Sequence, residues 1–143
     1  MNIGIACDHA AFKEKEQLIL FVNKMDIKVT DYGCLSEESV DYPDFAHALS
    51  EGIINSDIDI GILICGTGIG ISIAANKNKG IRAALCTSLF HAEMARKHNN
   101  ANVIAFGSRT TDFKDICAMT KVFLNTQFEG GRHQKRIEKI ENE

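Results

Sequence analysis

At 143 residues the chain has the length of one domain and enough sequence to bury a real core. Sixteen Lys and Arg against nineteen Asp and Glu leave a net charge of −3, which excludes a general attraction to nucleic acid or anionic lipid, so any phosphate binding has to be local. Five cysteines with no C-x-x-C pair, and no signal-like or long apolar stretch, point to a reduced cytoplasmic compartment and to no membrane partner.

The first apolar run, Ile3–Cys7, predicts a strand that ends in Asp8-His9. Ala11, Leu18, Val22 and Met25 then fall on one helical stripe, and Lys28–Tyr32 predicts a second strand. The single proline, Pro43 in Asp41-Tyr42-Pro43-Asp44, fits the first turn of a helix whose inward stripe is Phe45, Leu49 and Ile53. Ile58–Cys65 is apolar almost throughout instead of alternating, the pattern of a strand covered on both faces, and is expected at the centre of a sheet. A glycine-rich turn and a helix follow it. Ile81–Cys86 and Val103–Phe106 predict strands four and five, separated by a helix that closes with His98-Asn99. A last stripe, Phe113, Ile116, Cys117, Phe123 and Leu124, precedes Gly130-Gly131, which end that segment and release a charged arm, 132–143. Repeated β-then-α order predicts the α/β class: one domain, 1–143, built as a three-layer α/β/α sandwich around a five-stranded, mainly parallel sheet, with a helical C-terminal arm.

The chemistry concentrates in Cys65-Gly66-Thr67-Gly68-Ile69-Gly70. Three glycines in five residues let amide N–H groups turn toward one point, and a following helix adds positive partial charge, so a thiolate and an anion cradle would coincide. Packing is the competing explanation for any cysteine that ends a buried strand, and it is the expectation for Cys7, Cys34, Cys86 and Cys117. In open α/β sheets ligands bind beyond the carboxyl ends of the strands, which gathers Asp8-His9, Cys65–Gly68 and Gly107-Ser108-Arg109. Asp8 and His9 could instead cap the first helix, and His98 could simply answer the dipole at its helix end. Connectivity puts His98 at the opposite edge. Either that helix end bends toward the crevice or a second subunit supplies it. Lys77 and Lys79 read as a solvated face, whereas Arg132 and Arg136, four apart, suit either a phosphate or a surface. Gly66-x-Gly68-x-Gly70 lacks the dinucleotide spacing, no Walker lysine is present, and neither the histidines nor the cysteines show metal-ligand spacing, so no metal and no cofactor is expected.

Cys7-Asp8-His9, Asp41-Tyr42-Pro43, Ile62–Lys77, Gly80-Ile81-Arg82-Ala83, His98–Arg109 and Glu129-Gly130-Gly131-Arg132-His133-Gln134, in that order across nearly the whole chain, resemble the type B ribose-5-phosphate isomerases, a family grouped with the galactose-6-phosphate isomerase subunits. The resemblance implies a Rossmann-like fold and interconversion of ribose 5-phosphate and ribulose 5-phosphate through a cis-enediolate, without metal. It implies Cys65 as the proton-transfer base, Thr67 with the amides of Gly66, Gly68, Ile69 and Gly70 around the negative oxygen, and His98 in ring opening. Asp8 would orient a sugar hydroxyl, His9, Arg132 and Arg136 would hold the phosphate, and Tyr42, Asn99 and Arg109 would be further substrate contacts. It also implies a homodimer with sites shared between chains, with pairing into a tetramer left open. Allose 6-phosphate or galactose 6-phosphate is the alternative substrate. A non-catalytic sugar-phosphate binder and a thiol redox protein are alternatives of other classes.

Overall fold

A computed structural model describes residues 1–142. The strands are β1 (Asn2–Cys7), β2 (Lys28–Asp31), β3 (Ile60–Cys65), β4 (Ala83–Leu85) and β5 (Val103–Gly107). The helices are α1 (Phe12–Asn23), α2 (Tyr42–Ile54), α3 (Ile69–Ala75), α4 (Leu89–Asn99), α5 (Phe113–Asn125) and α6 (Arg132–Glu141), with one 3-10 turn, His9–Ala11, leading into α1. The strand order is β2-β1-β3-β5-β4 and every pairing is parallel, so the sheet is wholly and not just mainly parallel, with β3 at its centre as expected.

The period-two alternation of a strand decides what each face carries. Ile3, Ile5 and Cys7, Ile60, Ile62 and Ile64, and Ile104 and Phe106 pack with Leu18 and Val22 of α1, Ala92 and Ala95 of α4, and Ile116, Met119 and Phe123 of α5. The residues between them, Ala6, Leu63, Cys65, Val103 and Ala105, pack with Ala46 and Leu49 of α2 and Ile71 and Ala75 of α3. Cys65 therefore faces α3 and Cys7 faces the other layer. Full burial of each such aliphatic side chain stabilises the fold by roughly 1.5–3 kcal/mol, which is why a continuous apolar β3 belongs at the centre.

Sequence periodicity extends several strands too far. Ile58 and Ile81 lie outside them because their amides turn back, to Gly52 O of α2 (3.2 Å) and to Asn78 O (3.1 Å). Tyr32 and Cys86 also fall just beyond their strands. Pro43 sits in the first turn of α2. The charged arm is helical as expected: α6 buries His133 and Ile137 and packs on α4. Arg82 fastens its far end, donating to Glu141 Oε1 at 2.5 Å and to Asn99 O at 3.0 Å.

Strand order reverses direction between β1 and β3. The connection from β1 leads to one side of the sheet and that from β3 to the other, which opens a crevice between their carboxyl ends.

Candidate active site

Main-chain bonds continue past the sheet and tie the ends of β1, β3 and β5 together. Asp8 N–H donates to Ile64 O (3.2 Å), Ser108 N–H to Cys65 O (2.8 Å) and Arg109 N–H to Gly66 O (3.0 Å). Ser108 Oγ donates back to Ala10 O at 3.1 Å. One wall at the crevice thus carries residues from three strands.

Cys65 closes β3 with only 4% of its surface exposed, and Gly68 N–H donates to its Sγ at 3.1 Å. A backbone donor aimed at sulfur is the partner a thiolate needs in a largely buried setting. Gly68 reaches it with φ +77°, a left-handed conformation, while a Cβ there would meet Leu85 Cδ1 at 2.5 Å and the Phe106 carbonyl carbon at 2.7 Å. Thr67 is exposed, and its Oγ1 accepts from Ile69 N–H at 3.3 Å, which leaves its own O–H available as a donor. Gly70 lies in the first turn of α3, where amides lack intrahelical partners. The glycines also let side chains close over the loop. The Arg109 guanidinium lies 3.3 Å from where a Gly66 Cβ would be, and the Tyr42 hydroxyl 2.6 Å from that of Gly70.

Asp8 and His9 stand at the same edge. Asp8 is 7% exposed and its Oδ1 accepts from Ala10 N–H at 3.0 Å, so it caps the 3-10 turn that leads into α1, whereas α1 itself has Ala11 at its N-cap and no side-chain cap. Val40 N–H donates to His9 Nδ1 at 3.2 Å, joining the end of β1 to the approach to α2 and hence to Tyr42.

His98, Asn99, Arg132 and Arg136 are not brought to this edge. His98 and Asn99 end α4 before β5 begins, whereas Cys65 pairs with Gly107 at the far end of β5. Four strand steps, about 13 Å at ~3.3 Å each, separate the two ends of that strand. Helix α4 does not bend across this gap. His98 instead stacks on His133 of α6, ring centroids 4.2 Å apart and 8° from parallel, with Arg132 and Arg136 exposed beside them.

This second cluster contains residues that sequence reading left without a role. His133 is 5% exposed, and its Nε2 has no hydrogen-bond partner although the Glu129 carboxylate lies 3.7 Å away. Arg136 Nη1 is 3.4 Å from its Nδ1. Burial foremost, then the positive potential of His98, Arg132 and Arg136, holds this imidazole below the ordinary histidine pKa, with Glu129 opposing. The signal available in sequence was Glu129 and His133 four apart at a helix start, a spacing shared with many surface pairs. A separate groove of about 500 Å3 between the end of α3, β4 and α6 is lined by Lys77, Arg82, Asn99 and Glu141.

A thiol in an amide-lined turn at the switch point of an open parallel sheet defines an α/β protein that handles a small ligand at its strand ends. The model of the ribose/galactose isomerase family matches residues 3–140. Ribose-5-phosphate isomerase B of Escherichia coli is 43% identical over 139 residues, 97% of this chain and 93% of that one. Among solved structures, ribose-5-phosphate isomerase B of Clostridium thermocellum superposes with a TM-score of 0.98 at 44% identity, covering 99% of this chain and 96% of its own. The Thermotoga maritima ribose 5-phosphate isomerase gives 0.97 at 47% identity, covering 99% and 98%. The chain belongs to the ribose/galactose isomerase family.

Proposed function

We propose that this protein is an aldose–ketose isomerase that interconverts ribose 5-phosphate and ribulose 5-phosphate, with Cys65 as the base. The observation that carries this reading is the Gly68 N–H donated to Cys65 Sγ at 3.1 Å at the mouth of the crevice. The Cys65 thiolate takes the proton from C2 of the open-chain aldose, the electrons move into a cis-enediolate, the hydroxyl proton passes from O2 to O1, and the thiol returns its own proton to C1 as the C2 carbonyl forms. Negative charge collects on the sugar oxygen during this step. The Thr67 hydroxyl and the amides of the Gly66–Gly70 turn are the donors that meet it, the largest electrostatic contribution expected.

Ring opening precedes that chemistry and needs a proton moved between the ring oxygen and the anomeric hydroxyl, the role proposed for His98. Asp8 holds a sugar hydroxyl. His9, Arg132 and Arg136 hold the phosphate, and Tyr42, Asn99 and Arg109 add contacts, charge-assisted where arginine meets the dianion. Because His98, Asn99, Arg132 and Arg136 stand at the opposite end of β5 from Cys65, a working site takes them from a second copy of the chain. The protein accordingly works as a homodimer with shared sites, each chain one isomerase domain whose arm, 132–143, serves its neighbour. A reduced cytoplasmic setting suits a site that depends on a free thiol.

Mixing subunits tests the arrangement. Cys65→Ala and His98→Asn proteins, each inactive alone, are unfolded together and refolded at equal amounts. Half the dimers are then mixed and each mixed dimer has one wholly intact site, so about a quarter of wild-type activity returns. Dead mixtures of well-folded dimers would refute the shared site.

A further inference from the structure

We infer that His133 is a positioning residue that sets two side chains offered to the neighbouring chain, His98 through its ring face and Arg136 through its ring edge. The inference rests on the function proposed above. His98 and His133 stack with ring centroids 4.2 Å apart and planes 8° from parallel. Rings stacked in this way turn their nitrogens outward, so they meet through their faces and exchange no proton. At the edge, Arg136 Nη1 lies 3.4 Å from His133 Nδ1, and because a guanidinium has donors only, Nδ1 accepts. An exposed arginine has many rotamers, and this acceptor favours one of them.

The fold holds this ring firmly and at a cost. His133 is 5% exposed in the first turn of α6, and Ile137, one turn on, is buried with it. Gly130 and Gly131, at φ +67° and +57°, turn the chain into α6, and Glu129 N–H donates to Lys97 O at 3.1 Å, which ties that turn to the end of α4 where His98 stands. His133 Nε2 is buried without a hydrogen-bond partner, and the Glu129 carboxylate, at 3.7 Å, is too far to be one. An apolar side chain would fill this space without leaving a polar atom unsatisfied, so the imidazole is there for its neighbours. His98 is half-buried at a helix end, and a flat buried plate against its face fixes the plane of its ring. Ring opening needs that plane, because the imidazole must serve both the ring oxygen and the anomeric hydroxyl. The plate is also neutral. Burial first, then His98, Arg132 and Arg136, holds the His133 pKa low against Glu129, so a proton taken up by His98 meets no second cation stacked on it.

Two substitutions in the full-length protein separate the face from the edge. His133→Phe keeps a flat neutral ring and removes the acceptor, whereas His133→Asn removes the ring and keeps an oxygen near the place of Nδ1. With ribose 5-phosphate, His133→Phe should hold kcat and raise KM roughly fivefold. His133→Asn should hold KM and lower kcat by about 10- to 100-fold. His133→Leu, an apolar filler with neither face nor acceptor, should show both losses, and circular dichroism checks that each variant folds. A purely structural role would move kcat and KM alike in all three, in step with stability, and that result overturns the inference, as does lost kcat in His133→Phe or full kcat in His133→Leu. Proton NMR reads the stack without turnover. The His98 ring protons, assigned by their loss in His98→Asn, should be shifted upfield by the facing ring in the wild type and in His133→Phe but not in His133→Leu; an unshifted wild type refutes the stack. A wild-type protein inactive on ribose 5-phosphate, or a fully active His98→Asn, refutes the proposed function and the purpose of the contact with it, while the NMR shift still decides whether the contact exists.

Discussion

Replacing Gly68 by alanine probes the link from backbone conformation to chemistry at one atom. Alanine at φ +77° costs ~1–2 kcal/mol, because the left-handed region brings Cβ against the following carbonyl. Its Cβ would sit 2.7 Å from the Phe106 carbonyl carbon, about 0.8 Å inside the optimum for two carbons. Leu85 Cδ1 can swing aside, but Phe106 is fully buried main chain of β5 and cannot, so overpacking adds ~1–3 kcal/mol. The sum, roughly 2–5 kcal/mol, is less than the stability of most domains and corresponds to a Tm lowered by about 5–15 °C. The folded variant relieves the clash by lifting the turn, which withdraws the Gly68 N–H from Cys65 Sγ. A hydrogen bond to a charged group contributes ~1.5–3 kcal/mol, so kcat falls by about 10- to 150-fold while KM changes little. Thermal melts and a ribulose 5-phosphate assay read the two effects separately. A variant with wild-type kcat and a clearly lowered Tm would refute the claim that this amide steadies the reacting sulfur.

Two further outcomes follow from the cysteines. At neutral pH, iodoacetamide should modify Cys65 in the native protein while Cys7 and Cys86 stay unmodified, and ribose 5-phosphate should protect Cys65; mass spectrometry of the alkylated peptides reads both. Burial pushes the Cys86 thiol up to about 12 from 9.0, and burial with the neighbouring Cys34 sulfur, 3.7 Å away, pushes Cys7 up as well. An unfolded chain therefore sheds these protons at lower pH than the native one, so stability is complete below about pH 9 and falls above it, by up to ~1.4 kcal/mol per pH unit for each thiol. Urea midpoints measured from pH 7 to 10.5 should show this slope, and Cys86→Ala should reduce it.

Periodicity carried most of the fold. Continuous apolar character identified β3 as the central strand, and the stripe through Leu18 and Val22 found the buried side of α1, because burial on two faces or one leaves different repeats. Strand ends were less legible: Ile58 and Ile81 are apolar and buried, yet local turns claim their amides, and hydrophobicity does not record where an amide donates. The carboxyl-edge half of the candidate site was readable for the same topological reason, since Asp8 and Arg109 follow a strand and Cys65 ends one. Placing His98 at the other edge also came from connectivity. The contact between His98, Glu129 and His133 did not, because it depends on how two left-handed glycines steer α6 back onto α4, and residue spacing along a chain is blind to that steering.

The two outermost strands have a consequence for how copies of this chain can meet. β2 offers a four-residue border whose Lys28, Thr30 and Asp31 are exposed, and β4 offers only three residues. Charged and short borders discourage a further strand from joining the ladder. Growth by sheet extension is thereby disfavoured at both margins, so association is steered to helical surfaces, which can close on themselves and stop at a fixed number of copies.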